Sequence, residues 1–352
     1  MVATSVVSTR FLASRISNQL RCWLSYALSL FGVVRVRHFP TFVSIEPANF
    51  CQLRCPECPV GTASRLSPHN PTANSQSPIV NRLMTMETFH RILDQVQATA
   101  HTMQFYFQGE PLLNKQLPEM IAMAHQVGQY TIVSTNAQAL NRSTAEALVK
   151  SGLNRIIVSI DGFSKESYQA YRIGGSLQKS LDALQYLANA KRTHKSRIRI
   201  ELQTLRLKTN EHEWEWIKKN YKKLGATHLV FKTAQLYNFE HGHPLMPTDE
   251  RYSRYRKTAD GTYVHKSSHL SPLTLSPHRL IALQPCLRLW SGCVITTYGD
   301  VLPCCYDKKH RHALGNIITH SLSEIFHSHK ANTLRKHILK GNLPEMCKNC
   351  NH

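Results

Sequence analysis

Apolar residues at positions 41–237 recur with two periods, one typical of β-strands and the other typical of α-helices. Short apolar runs that predict strands alternate with longer segments whose apolar residues lie three or four positions apart. Strands are predicted over 43–46, 103–107, 130–134, 155–160, 198–205 and 228–231. Helices are predicted over 86–99, 115–127, 213–224, between Ser143 and Gly152, and around Leu177, Leu181, Leu184 and Leu187.

This alternation predicts the fold class. Six successive β/α repeats indicate an α/β fold in which a parallel sheet is connected by helical crossovers. In such folds the functional side chains gather at the carboxyl ends of the strands. One helix start is also predicted in detail, because Ser-Thr-Ala-Glu at 143–146 matches a capping box opened by Ser143.

The segments on either side of these repeats have a different character. Residues 1–40 contain five arginines and no acid, and their apolar stretch over 23–34 is short for a membrane span. We expect a basic, apolar helical extension that caps the domain or makes weak contact with a membrane surface; an organellar transit peptide is the alternative. Residues 238–285 lack periodicity and are rich in His, Pro, Tyr and Ser, which predicts a linker or lid.

Charge and cysteine content narrow the class of protein. The 352 residues carry a formal net charge of +21, which favours acidic partners. The basic residues are spread over many short runs, so dedicated nucleic-acid binding is not expected. The ten cysteines gather at 51–58, 286–305 and 347–350, apart from Cys22. Such clusters indicate metal ligation in a reducing compartment, and we expect a cytoplasmic protein.

The first cysteine group has the spacing of a metal-binding loop. Cys51, Cys55 and Cys58 follow the first predicted strand with three and two residues between them. Three thiolates on a four-iron cluster leave one iron without a protein ligand, where substrate chemistry can occur. The alternative is a zinc site completed by His69 or a distant cysteine, which would make the chain a zinc-dependent binding protein.

The cysteine loop resembles the signature of the radical S-adenosylmethionine (SAM) superfamily. Three strand-end segments also resemble motifs of that family: Gln-Gly-Glu-Pro at 108–111, Ser-Thr-Asn at 134–136, and Ser-Ile-Asp-Gly at 159–162. The chain departs from the family at Glu57, Gln108 and Ala137. The resemblance implies that SAM is contacted by Gln108, Gly109, Glu110, Ser134, Asn136, Ser159 and Asp161, with Arg172 as a further candidate for its carboxylate.

The same resemblance implies a fold and a reaction. The fold would be a partial (β/α)6 TIM-type barrel over residues 41–237, with the cluster at its C-terminal mouth. The SAM-binding [4Fe–4S] cluster would cleave SAM reductively, and the 5′-deoxyadenosyl radical would abstract hydrogen from a substrate. An electron donor such as flavodoxin or ferredoxin would supply the electron.

The remaining cysteines predict a second site in residues 286–352. Gly-Asp-Val-Leu-Pro-Cys at 299–304 suggests a hairpin, and further cysteines follow at 347 and 350. This pattern resembles the SPASM domain, which implies one auxiliary [4Fe–4S] cluster. A zinc knuckle is the alternative to this cluster. Cys305 and Cys293 are possible substitutes for the assigned ligands. The assigned ligands are Cys286, Cys304, Cys347 and Cys350.

The substrate is predicted by class alone. Enzymes with this architecture often modify peptides or proteins, so a peptide or protein is the first expectation. A small sugar- or nucleotide-derived metabolite is the second, because a basic surface suits a phosphorylated molecule equally well. The residue spacing does not choose a catalytic acid or base.

Overall fold

The computed structural model describes residues 11–66, 81–266 and 286–350. Within these ranges, nine strands form one mixed sheet in the order β11-β10-β9-β1-β2-β3-β4-β5-β6, and β7 pairs with β8 in a separate hairpin. The strands are β1 Phe42–Ile45, β2 Thr102–Phe105, β3 Tyr130–Thr135, β4 Arg155–Ser159, β5 Arg199–Arg206, β6 His228–Thr233, β7 Tyr255–Lys257, β8 Tyr263–His265, β9 Gly292–Ile295, β10 Asp300–Leu302 and β11 Gly315–Asn316.

Strands β1 to β6 are parallel and neighbour one another in sequence order, as the β/α repeats predicted. The sheet does not close, so the core is a partial barrel of the predicted class. Helices α2 to α8 lie on the crossovers, α1 precedes the sheet and α9 to α12 lie in the carboxyl-terminal region. The helices are α1 Leu12–Leu30, α2 Pro59–Leu66, α3 Met86–Val96, α4 Leu117–Gln126, α5 Arg142–Lys150, α6 Lys165–Tyr171, α7 Leu177–Thr193, α8 Trp214–Asn220, α9 Leu287–Ser291, α10 Leu322–His327, α11 His329–Leu339 and α12 Glu345–Lys348.

The main core lies between the sheet and these helices. Phe89, Ile92 and Val96 line one face of α3 and are fully buried, which is the periodicity that predicted the helix. They pack in the same cluster as Met103 and Phe105 of β2. Burial of apolar side chains of this size contributes about 1.5–3 kcal/mol each, so this layer stabilises the strands whose ends carry the site.

The start of α5 differs from the prediction. Asn141, not Ser143, caps the helix, and its side-chain oxygen accepts from the backbone N–H of Thr144. The predicted capping box at 143–146 is therefore wrong. Asparagine is as good a cap as serine, and with the cap at 141 the apolar positions Ala145 and Leu148 face the core.

The carboxyl-terminal region extends the core sheet. Strand β9 pairs in parallel with β1, with Phe42 opposite Gly292 and Ile45 opposite Ile295. Strand β10 then pairs antiparallel with β9, which confirms the hairpin predicted before Cys304. Thus the strand that leads into the first cysteine loop is hydrogen-bonded to a strand from the second cysteine region.

Part of the predicted linker or lid is an ordered hairpin. Tyr255 of β7 is fully buried and stacks on Phe239 with their ring centroids 4.0 Å apart. Its hydroxyl donates to Asn349 Oδ1 at 2.9 Å. Tyr255 packs in one apolar cluster with Leu53 and Cys55, so the hairpin covers the first cysteine loop. Residues 267–285 of the predicted segment lie outside the described residues.

Helix α1 lies within the predicted helical extension and attaches through polar side chains. The Arg15 guanidinium donates to the carbonyl oxygens of Gln97, Val127 and Gly128 at 2.6–3.1 Å. Asn18 donates to backbone oxygens at 39 and 99. Among the residues described, no helix combines the length and the apolar character needed to cross a membrane.

Candidate active site

The first cysteine loop leaves the carboxyl end of β1 and turns directly into α2. The backbone N–H of Cys58 donates to the Cys55 carbonyl at 3.3 Å, and the Cys58 carbonyl accepts from Thr62 in the first turn of the helix. Gly61 lies against this turn, where a Cβ atom would overlap the Cys55 backbone. The short gaps between the cysteines therefore form a compact loop, in which all three cysteines pack in or against one apolar cluster.

The thiols of this loop are suited to a cationic group. Burial raises the pKa of Cys51 to about 12 and also raises the pKa of Cys55. In Cys51, the nearby Cys55 and Cys58 raise the pKa further, because neighbouring thiolates repel one another. Thiolates are stable here when iron supplies compensating positive charge, so the donor set fits an iron–sulfur cluster. His69, the alternative zinc ligand, lies outside the described residues.

Glu110 joins the ends of β2 and β3. One carboxylate oxygen accepts from the Thr135 hydroxyl at 2.6 Å and from the Leu112 N–H at 3.1 Å, and the other accepts from the Asn136 N–H at 2.8 Å. These bonds position Asn136, and the carboxyl is fully buried. Thr135 was missed by sequence reasoning, although it lies within the 134–136 motif.

Asn136 reaches the cysteine loop. Its Nδ2 donates to Cys51 Sγ at 3.3 Å, and its Oδ1 accepts from Gln52 at 3.2 Å. Ala137 follows with φ of +62°, a left-handed conformation that usually favours glycine. Ala137 therefore turns the backbone away from β3 in a conformation that a glycine would adopt more readily.

Arg172 and Asp161 form a buried ion pair beside Cys55. Arg172 Nε lies 2.6 Å from Asp161 Oδ2, with side chains 15% and 1% exposed, and Arg172 Nη1 lies 3.9 Å from Cys55 Sγ. The other Asp161 oxygen accepts from the Leu205 N–H at 2.6 Å. The carboxylate of Asp161 and the Cys55 thiol raise the pKa of Arg172 despite its burial, so it stays charged.

The other predicted SAM contacts occupy neighbouring strand ends. Gly109 lies against the backbone at 48–50, where a Cβ atom would overlap it. Gln108 Nε2 donates to the Lys308 carbonyl at 2.8 Å, toward the carboxyl-terminal region. Ser134 lies on β3 and Ser159 ends β4; in the described part of the chain neither hydroxyl bonds to the cysteine loop.

The second cysteine group comes together from three separate segments, which lie before α9, after β10 and at α12. Cys304 packs in one cluster with Cys286, Cys305 and Cys347. Cys350 lies beside Cys347. Its N–H donates to the Cys347 carbonyl, and its charge raises the pKa of Cys347. Burial raises the pKa of Cys286 and of Cys347, as it does in the first loop.

The substitute ligands differ in their surroundings. Cys305 accepts a hydrogen bond from Cys304 and from Arg288 Nη1 at 3.3 Å, and these lower its pKa. Cys293 is buried on β9 in the main core, and burial raises its pKa to about 12. In the described ranges, no three His, Cys, Asp or Glu side chains converge on a site for a single metal ion.

Comparison with known proteins identifies the family. The model of the radical SAM superfamily matches residues 45–225, which is more than half of the chain. The chain belongs to the radical SAM superfamily. The model of the SPASM iron–sulfur cluster-binding domain matches residues 286–351. A [4Fe–4S] cluster and SAM are therefore the cofactors of the core, and the SPASM domain implies auxiliary iron–sulfur clusters. This family assignment replaces the alternative hypothesis of a zinc-dependent binding protein.

Two kinds of enzyme have sequences similar to this chain. PqqA peptide cyclase of Bradyrhizobium diazoefficiens is 25% identical over 327 residues, which cover 88% of this chain and 78% of that protein. GTP 3′,8-cyclase of Listeria welshimeri is 31% identical over 146 residues, which cover 41% of this chain. The chain spans 40% of the length of that cyclase and 32% of the PqqA peptide cyclase of Granulibacter bethesdensis.

Solved structures show the same radical SAM fold. SuiB of Streptococcus suis bound to S-adenosylmethionine has a TM-score of 0.60 at 14% identity, covering 84% of this chain and 68% of that one. The structure of anSMEcpe with bound AdoMet has a TM-score of 0.59 at 19% identity, covering 89% and 83%.

A lysine lies between the radical SAM and SPASM cysteines. Lys308 Nζ donates to Gln235 Oε1 at 3.0 Å and to the Tyr237 hydroxyl at 3.4 Å. Burial lowers its pKa. The backbone N–H of Tyr237 donates to Glu57, which precedes Cys58, so Lys308 is linked to the first cysteine loop through Tyr237. Sequence reasoning missed this residue because its neighbours 308–311 look like an ordinary basic run.

Glu46 is a further buried acid beside the radical SAM loop. It directly follows β1 and is 2% exposed, and one carboxylate oxygen accepts from the Thr297 N–H at 3.3 Å. Burial raises its pKa to about 7. Such a carboxyl holds its proton more tightly in the folded state than in the unfolded chain, where its pKa is about 4.5.

This difference predicts how stability depends on pH. The free energy of unfolding should fall as pH rises from about 4.5 to about 7 and remain lower above that range. Glu46→Gln removes the ionisable group, so at pH 8 the variant should exceed the wild type by about 3 kcal/mol, a difference that shrinks toward pH 5. Urea unfolding at both pH values measures this. Exposed Glu119→Gln is the control, and a pH-independent effect of Glu46→Gln would contradict the prediction.

Proposed function

We propose that this radical SAM enzyme removes hydrogen from a peptide or protein that lies between its two cysteine groups. The observation that carries the proposal is Lys308 of the SPASM region, whose carbonyl accepts from Gln108 of the core and whose ammonium donates to Tyr237. The Tyr237 N–H in turn donates to Glu57, the neighbour of Cys58. Support for a peptide comes from PqqA peptide cyclase, because the match to that relative covers 88% of this chain and extends beyond the core.

The proposed roles of the core residues follow from their contacts. Cys51, Cys55 and Cys58 would hold the SAM-binding cluster. When bound, the cluster and SAM supply a 5′-deoxyadenosyl radical that abstracts hydrogen. Asn136, which bonds to Cys51 Sγ, and Arg172, which is 3.9 Å from Cys55 Sγ, would orient SAM from the two sides of the loop. A permanently charged guanidinium suits the SAM carboxylate.

The remaining predicted contacts divide into two roles. Glu110 and Asp161 would position other groups, because their carboxylate oxygens are engaged by protein donors. Ser134, Ser159, Gly109 and Gln108 would contact SAM at the strand ends, although Gln108 also bonds to the SPASM region at Lys308.

Cys286, Cys304, Cys347 and Cys350 would hold one auxiliary [4Fe–4S] cluster in the SPASM domain. They come from α9, the end of β10 and the α12 turn, and they lie in one apolar cluster or bond to it. Cys305 would remain a nearby thiol with thiolate character, held by Arg288. Four thiolates give each of the four irons a protein ligand and leave no iron open for SAM. This site would therefore transfer electrons rather than bind SAM.

The electron donor would be an acidic protein such as a flavodoxin or a ferredoxin. The net charge of +21 supports this proposal, because it favours rapid encounter with a negatively charged partner. Both cysteine groups need reduced thiols, so the reducing cytoplasm would be the compartment in which the enzyme works.

The test uses the anaerobically reconstituted enzyme with SAM, a chemical reductant and synthetic peptides encoded by short open reading frames beside its gene. We expect a peptide to accelerate 5′-deoxyadenosine formation and to change in mass. GTP and sugar phosphates are the comparison substrates. Acceleration by one of these, with every peptide inert, would contradict a peptide substrate and support the metabolite alternative.

Lys308→Met separates substrate binding from SAM cleavage. Its ammonium contacts Gln235 and Tyr237 and lies outside the cysteine loop, so the variant should retain slow 5′-deoxyadenosine formation without substrate. Stimulation by the substrate should fall by about tenfold or more, because a charged contact to the substrate in a half-buried site would be lost. The control is Lys309→Met, an exposed lysine paired with Glu345. Equal stimulation of both variants and the wild type would refute this role of Lys308.

A further inference from the structure

Helix α1 presents its apolar side chains to solvent. Leu20 is 64% exposed, Leu24 is 62% exposed, and Phe31, just past the helix, is 79% exposed. The exposed positions recur every three or four residues, so they form one stripe along the helix. The members of this apolar stripe are Leu12, Ile16, Leu20, Trp23, Leu24, Leu30 and Phe31.

The opposite face of α1 is polar and points into the protein. Arg15, Asn18, Cys22, Ser25 and Ser29 are buried there at helical spacing. Besides the Arg15 and Asn18 bonds, Ser25 bonds to His38, whose ring also bonds to a backbone oxygen at 290. An arginine buried against three carbonyl oxygens holds the helix in this rotation, because turning the apolar stripe inward would leave those polar groups unpaired.

Positive charge surrounds the apolar stripe. Arg21 on the helix, and Arg35 and Arg37 just after it, are exposed. The first acidic residue of the chain is Glu46, which is buried. A second copy of this chain is disfavoured as the occupant, because a symmetric pair would bring these arginines together without acidic partners from the same segment.

We propose that the apolar stripe of α1 docks the protein on an anionic lipid surface. An amphipathic helix with aromatic and leucine residues on one face and arginines beside it lies in the plane of a membrane interface, with its apolar face at the headgroup boundary. The inward polar bonds keep the helix attached to the barrel, so the whole enzyme would follow it to the membrane. This inference is independent of the substrate proposed above.

The experiment is co-sedimentation of the holoenzyme with lipid vesicles. We expect binding to vesicles of equal parts phosphatidylglycerol and phosphatidylcholine, weaker binding to phosphatidylcholine alone, and loss of binding as salt is raised. Leu20→Glu with Leu24→Glu should lower the partition coefficient by about a hundredfold, because about tenfold is lost per leucine withheld from the lipid. Replacing Arg21, Arg35 and Arg37 by glutamine should weaken binding to anionic vesicles about fivefold per residue.

The control variant is Ile318→Glu, which should bind like the wild type because Ile318 is an apolar residue outside α1 with 47% of its surface exposed. The iron content and circular dichroism of each variant confirm folding. Absence of wild-type binding to anionic vesicles would overturn the proposal. A concentration-dependent dimer that dissociates in the double leucine variant would also overturn it, because the stripe would then be a protein interface.

Discussion

Cys55→Ala is expected to abolish the formation of 5′-deoxyadenosine from SAM. The thiol of Cys55 lies beside Arg172 in the loop that follows β1, and its replacement removes one of three proposed ligands. Two thiolates do not hold a SAM-binding cluster, so turnover should fall by about a thousandfold or more. Liquid chromatography of anaerobic reactions with reductant and SAM measures the product.

Iron analysis separates this effect from a general loss of folding. Cys55→Ala should lose the iron and sulfide of one four-iron cluster while the SPASM site keeps its own. The matched control is Cys22→Ala, because Cys22 is equally buried but contacts the backbone at 290 rather than the site. Full activity of Cys55→Ala would refute the ligand assignment.

Asp161→Asn is expected to weaken both folding and SAM binding. The asparagine leaves Arg172 charged and nearly buried without its carboxylate partner. Breaking a buried pair from one side costs about 3–5 kcal/mol, because the remaining charge is uncompensated. Since Arg172 also lies near Cys55, its displacement should raise the dissociation constant for SAM by at least about tenfold.

A second buried ion pair provides the comparison. Glu201 on β5 is fully buried; it accepts from Arg155 at 2.6 Å and forms an ion pair with Arg199, whose Nη2 lies 3.0 Å away. Glu201→Gln should lower the free energy of unfolding while leaving SAM binding unchanged. Urea unfolding and equilibrium SAM binding on both variants make the distinction, and an Asp161→Asn protein with wild-type SAM affinity would contradict the positioning role.

The order and type of the core elements could be predicted because they depend on local periodicity. The strand ends also carried the motifs, and the side chains of Asn136 and Arg172 approach the cysteine loop. The cap of α5 was misplaced by two residues, since Asn141 and Ser143 are both acceptable caps and the local pattern does not choose between them.

Long-range pairing could not be predicted. Nothing in the local pattern at 292–295 shows that this strand would join β1, which lies about 250 residues earlier in the chain. The inward orientation of polar groups on α1 and the position of Lys308 likewise depend on contacts across the fold. These features determine where the SPASM cysteines lie relative to the core.

The pairing of β9 with β1 has a consequence for redox coupling. The strand leading to Cys51 and the strand between Cys286 and Cys304 share a continuous ladder of backbone hydrogen bonds. We therefore expect the two cysteine groups to move together, so that the distance between the clusters they would hold changes little during turnover. Excision of the carboxyl-terminal region would also turn β1 into an unprotected edge strand, so the core alone would be prone to aggregation.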